Sequence, residues 1–196
     1  MDDDGQAERE LLRLIGRGVS DSADRLAKIS RTEWVTQTVS ISMAPLAKFQ
    51  GVLAGDAEEH FGAHFTLPGG VFLVMIPSRS GPAFADAFLP ASKKHPEGVK
   101  DRERSSLAEI SNIVVNAVAA VVADACGMAL MLSAPEVSHG RKADLLREAR
   151  EMVSSSGEKS VVMAYVHMSS EALSSDCSVV VLMSEAWQAR LFAALE

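Results

Sequence analysis

Aromatic residues make up only 5% of this 196-residue chain, with a single tyrosine, so Val, Ala, Leu and Met must fill most of its core. Cysteine is scarcer still. Cys126 and Cys177 are the only two, too few for a disulfide framework and without a zinc-site spacing. Cys177 sits between Asp176 and Ser178 with no basic neighbour to lower its pKa, which argues against a nucleophilic thiol. Positive charge is in deficit, giving a net charge of −7, and this excludes a broad nucleic-acid footprint, which needs clustered cations. Lys93, Lys94, Lys100, Arg102 and Arg104 alternate with Glu97, Asp101 and Glu103 and read as a solvated linker. The longest apolar stretch, Ala117 to Ala123, falls far below the roughly 20 residues of a membrane span. Met1-Asp2-Asp3-Asp4 is the opposite of a basic signal-peptide start. A cytoplasmic protein without a membrane partner is expected.

Metal and phosphate motifs are also lacking. His60 and His64 have a helical ligand spacing, but the run His60-Phe61-Gly62-Ala63-His64-Phe65 reads as a strand, where they stand too far apart to share an ion. His95, His139 and His167 add no carboxylate–histidine constellation, so no metal site is expected. Ser80-Gly81-Pro82 and Gly16-Arg17-Gly18 are glycine signals without a P-loop or dinucleotide-binding context. Trp34 and Trp187 read as core or sheet-edge residues.

What is present is an internal echo. Thr38 to Pro45 resembles Met128 to Pro135, both β-suited runs ending in Ala-Pro. Later, Val71 to Ile76 leads into a helical stretch, as Val179 to Met183 does. The second offset is longer, which an inserted amphipathic helix between about Gly140 and Gly157 accounts for, with Leu145, Leu146, Ala149 and Met152 on one face. The first half then reads helix 7–29, strands 33–43, 58–67 and 70–77, helix 81–90. The second reads helix 101–126, strand 128–137, inserted helix 141–155, strands 159–168 and 176–183, helix 184–195. Gly69-Gly70 marks a hairpin, and Gly127 suits the residue after a helix end. After an acidic tail (1–7), residues 8–196 are expected to form one domain of two pseudo-repeats, about 8–90 and 101–196. The fold class predicted is α+β: two related α-β-β-β-α halves sharing a largely antiparallel sheet, with long helices packed on it.

The helix 101–126 carries the most informative pattern. At about 100° per residue, Ser105, Glu109, Asn112 and Asn116 fall within an arc of roughly 60°. Leu107, Ile110, Ile113, Val114, Ala117 and Val118 surround them. Asn is a poor helix former because its amide competes for backbone groups, so the stripe must face water, a partner or polar groups in the core.

Ser105, Glu109, Asn112 and Pro135 also have a long-range spacing, the Pro 23 residues after the Asn. It resembles the signature of the CheC/CheX/FliY family of response-regulator phosphatases: Asp or Ser, a Glu four later, an Asn three after that, and the distant Pro. The resemblance covers roughly residues 8 to 196. It implies a CheC-like fold with two long helices exposed side by side. Its chemistry would be hydrolysis of an aspartyl phosphate on a CheY-like receiver domain. Asn112 would orient the attacking water and Glu109 would bond the receiver's Lys. Ser105 and Pro135 would support the motif, and Asn116 would add a docking contact. The Mg2+ would belong to the receiver, this chain needing no cofactor of its own. A CheD-like protein and a homodimer are further partners the resemblance allows. The alternative is a non-catalytic binding module: a chemotaxis adaptor, a CheD-type partner binder or a flagellar-switch component. Aligning the first half pairs Val19 and Ser22, or Leu11 and Leu14, with Glu109 and Asn112, so only one functional site is expected.

Overall fold

Leu11, Leu14, Ile15, Val19 and Leu26 recur at helical steps and are all buried on one side of α1 (Asp3–Ser30), the apolar stripe of an amphipathic helix. In the computed structural model, which describes residues 3–42, 57–88, 99–154 and 161–195, this stripe faces a second long helix and a sheet. After α1 come β1 (Val35–Ser42), β2 (Glu59–Leu67), β3 (Gly70–Pro77), a 3-10 turn at Ser78–Ser80 and α2 (Gly81–Phe88). The second half contains α3 (Val99–Cys126), β4 (Glu136–Arg141), α4 (Lys142–Ser154), β5 (Val161–Ser170), β6 (Ser175–Ser184) and α5 (Glu185–Leu195). The fold is α+β, as the residue pattern predicts.

The six strands lie in the order β1-β5-β6-β3-β2-β4, and every described pairing is antiparallel. Exchanging β1 with β4, β2 with β5 and β3 with β6 returns the same order reversed. The two halves thus meet at the central β3–β6 pair, where Leu73 lies opposite Val180. Each half also sends its first strand to the other's edge: β1 pairs with β5, and β4 with β2.

Helices cover both faces of the sheet. Phe72, Val74 and Ile76 of β3, with Val179, Val181 and Met183 of β6, share one core with α1 and α3. On the other face, Val71, Leu73, Met75, Val180 and Leu182 pack against Leu145, Leu146, Ala149 and Val153 of α4, with Met152 at the margin. Coverage on both sides explains why β3 and β6 are continuous apolar runs rather than alternating ones. At roughly 1.5–3 kcal/mol for each large side chain, Leu145 and Leu146 alone fasten α4 firmly. The inserted helix therefore lies across the sheet from α1 and α3 and leaves their outer face uncovered.

Three details correct the sequence reading. Helix α1 starts at Asp3, inside the stretch expected as an acidic tail. The strand expected at 128–137 begins only at Glu136. Before it, Ser133 and Thr66 exchange two bonds, Ser133 N to Thr66 O and Thr66 N to Ser133 Oγ, both 2.9 Å. Pro135 then interrupts the ladder because it has no N–H to give. It stands before an edge strand instead of ending one. Third, α3 is long and apolar enough to cross a membrane by length and composition, although no single run suggested it; here its apolar side is packed on α1 and the sheet. Met43, Ala44, Pro45, Lys93, Lys94, His95 and Glu97 lie outside the described residues.

Helix α3 ends as the glycine signal predicts. Gly127 has φ +60°, Met128 N donates to Ala123 O at 3.0 Å and Gly127 N to Asp124 O at 3.4 Å. This is a Schellman ending, which needs a left-handed residue at that point. At the other end of the chain, Ser184 Oγ accepts from Trp187 N at 3.2 Å and caps α5. Trp34 and Trp187 are buried in the core.

The two thiols have unlike surroundings. Cys177 is fully buried, and burial, with Asp176 alongside, pushes its pKa far up. Cys126 is half-buried, and burial raises its pKa more modestly. A thiol reagent should therefore label only Cys126 in the folded chain, faster as pH rises through the thiol's elevated range, and Cys177 only in denaturant. Native labelling of both would contradict this packing.

Candidate functional site

Helix α3 is fastened before the stretch that carries Glu109 and Asn112 begins. Arg102 forms an ion pair with Asp86 of α2 at 3.0 Å. Arg104 Nη2 donates to Val137 O of β4 at 2.8 Å. Leu107, Ile110, Val114 and Val118 then enter the core. Glu109, Asn112 and Asn116 point the other way and are exposed. Ser105 is partly buried one turn before Glu109. Of the environments the sequence leaves open for this stripe, the structure removes polar groups in the core: the carboxylate and both amides lie on the surface. Asn116 Nδ2 donates to the main-chain O of Asn112 at 2.8 Å and to its Oδ1 at 3.0 Å, a contact no periodicity argument could anticipate.

Pro135 belongs to the same region for a geometric reason. After Gly127 the chain turns back, and by Val137 it has returned to Arg104. A strand rises about 3.3 Å per residue and a helix 1.5 Å, so two strand residues span about four of the helix. Pro135 is thus roughly level with Glu109. The long gap in the motif is a helix out and an extended segment back. Along that segment Leu130 and Leu132 pack on the core while Met131 is 75% exposed.

The neighbour of α3 on the outer face is α1. An added Cβ on Gly18 would stand 2.5 Å from Val118 Cα, so the two backbones nearly touch there. The helices run antiparallel, since Gln6 to Arg13 line a cleft of about 710 Å3 together with Ala125 and the end of α5. Equal rises then bring Ser20 and Asp24 of α1 to about the level of Asn116 and Asn112. Leu11, Leu14, Val19 and Ser22 are all buried. Neither alignment of the first half places a Glu–Asn pair, or any exposed pair, on α1. The cleft lies at the far end of the helix pair, about 20 Å along α3 from Asn112.

The histidines singled out in the sequence make local contacts. His60 and His64 are buried on the α4 side of β2, and His64 Nε2 lies 3.3 Å from Leu145 O. His139 bonds Ser78 Oγ at 2.9 Å. No cluster of three or more His, Cys, Asp or Glu suited to a metal occurs among the described residues.

No known family's sequence profile matches the chain, and no curated protein matches it. Solved structures do. FliY from Thermotoga maritima superposes with a TM-score of 0.67 at 15% identity, over 97% of this chain and 96% of that one. A chain of the FliM–SpeE complex from H. pylori gives 0.61 at 14% identity, over 96% of both chains. The CheX–CheY–BeF3–Mg2+ complex from Borrelia burgdorferi gives 0.55 at 11% identity, over 86% and 96%. Such identities speak for architecture alone, and the architecture agrees from end to end: this chain has the CheC-like fold of the CheC/CheX/FliY family.

Proposed function

We propose that this chain is a cytoplasmic phosphatase that hydrolyses the aspartyl phosphate of a response-regulator receiver domain. The observation that carries this reading is the outward pairing of Glu109 and Asn112 on a helix face that nothing else in the described chain covers. Phosphoryl transfer needs little covalent help; positioning and charge stabilisation do most of it. A receiver brings its own Mg2+ and Lys, so the missing part is a water held in line with the phosphorus. A carboxamide suits this task because it offers donor and acceptor without added charge. Water oxygen bonds to phosphorus as the bond to the aspartyl oxygen breaks. The products are inorganic phosphate and the restored carboxylate, and the water's proton passes to phosphate and solvent. Glu109 bonds the receiver's Lys and sets the docking register.

The test is the decay of phosphorylated receivers with and without this protein. Acceleration for at least one of them is expected. The second reading, a binding module of the flagellar switch or a chemotaxis adaptor, draws support from the likeness to the FliY and FliM–SpeE structures. Tight binding of a receiver with unchanged decay would favour it. Glu109→Ala should act mainly on docking. Losing a charge-assisted bond of about 1.5–3 kcal/mol should weaken complex formation roughly ten- to hundredfold, as read by titration. Single-turnover hydrolysis at saturation should change far less.

A further inference from the structure

Asn116 donates from one nitrogen to two oxygens of Asn112, the main-chain carbonyl at 2.8 Å and Oδ1 at 3.0 Å. The first bond settles which end of the Asn116 amide is nitrogen, because a carbonyl oxygen only accepts. With a donor turned towards it, the facing atom of Asn112 must be its oxygen. One main-chain carbonyl therefore fixes the orientation of two side-chain amides. An exposed Asn without such a partner turns freely about its broad terminal torsion. Held this way, Asn112 turns its Nδ2 hydrogens and the second lone pair of Oδ1 away from Asn116 and towards solvent.

We infer that Asn116 is a positioning residue: it orients the Asn112 carboxamide so that the edge offered to a water is always the same. The inference rests on the phosphatase reading above and changes the part Asn116 plays in it. A docking contact touches the partner, and its loss raises KM. A positioning residue acts through Asn112, and its loss lowers kcat. The commonest role of an i, i+4 amide pair is support of the helix itself. Here Ala at an exposed site supports a helix better than Asn does, so Asn116→Ala should fold normally.

The experiment compares wild type, Asn116→Ala and Asn116→Gln in two measurements. The first is hydrolysis of a phosphorylated receiver. Asn116→Ala should lower kcat about tenfold with KM unchanged, and Asn116→Gln, which keeps a donor at that spacing, should restore most of it. The second is 15N relaxation of the Asn112 side-chain amide in the uncomplexed chain, which should show an ordered group in wild type and a mobile one in Asn116→Ala. A raised KM with normal kcat, or an Asn112 amide equally ordered without Asn116, would overturn the inference. If wild type hydrolyses no receiver phosphate, the phosphatase reading fails, and relaxation alone then decides whether Asn116 orients Asn112.

Discussion

Asn112→Ala is expected to abolish receiver dephosphorylation while leaving the fold intact. Asn112 is exposed, and its one described side-chain bond comes from another exposed residue. Its removal opens no cavity and orphans no buried group. Helix propensity even favours the substitution slightly. On the proposed function the loss falls on the chemistry, where ordering of water by the amide would supply two to four decades in rate, on the order of 3–5 kcal/mol of barrier. The measurement is single-turnover decay of a phosphorylated receiver at saturating protein, paired with thermal unfolding of the variant. An unchanged Tm with decay at the receiver's own rate supports the proposal. Full activity in the variant would leave the exposed amide with no role in the reaction.

Gly18→Ala should produce the largest loss of stability from a single methyl group. Its Cβ would stand 2.5 Å from Val118 Cα, 3.1 Å from Val118 N and 3.2 Å from Ala117 O. All three are backbone atoms, so no side-chain rotation relieves the contact. Helices α1 and α3 must part, loosening the contacts of Leu14, Ile15 and Val114 in the shared core. Overpacking costs about 1–3 kcal/mol where side chains can yield, and here they cannot, so roughly 3 kcal/mol is expected. For a chain of this size that lowers Tm by about 6–12 °C. The sign is diagnostic. In an ordinary helix, replacing Gly by Ala adds about 1 kcal/mol of stability, so a variant that melts higher would show that the two backbones do not meet at this point.

Much of this architecture was legible in the residues, and the exceptions have physical causes. Helical periodicity located α1 and α3, and the Ser105–Asn116 stripe showed which side of α3 is unlike the rest. Gly127 marked the end of α3 because a left-handed residue is required there. The run Met128 to Leu132 misled for a good reason. Its alternation is real, with Leu130 and Leu132 against the core and Met131 outside, but β2 ends at Leu67 and offers those residues no continuing ladder. Side-chain period reports which face is buried and says nothing of hydrogen-bond partners. For the same reason the exchange of β1 and β4 between halves was invisible. The place of α4 was readable in principle: uninterrupted apolar runs at Val71 to Ile76 and Val179 to Met183 announce a sheet covered on both sides. The Asn116–Asn112 bond, set by rotamers, leaves no trace in spacing.

The reciprocal lending of edge strands also bears on how the chain acquires its shape. β1 finds its only described neighbour in β5, about 130 residues later, so a large loop must close before either margin is complete. Local hairpins such as β2–β3 can form early, but they cannot finish a unit. Severing the chain between α2 and α3 would yield two fragments that each lack a border and carry a strand with no home. Such pieces should complement one another on mixing and remain unstructured or sticky when kept apart.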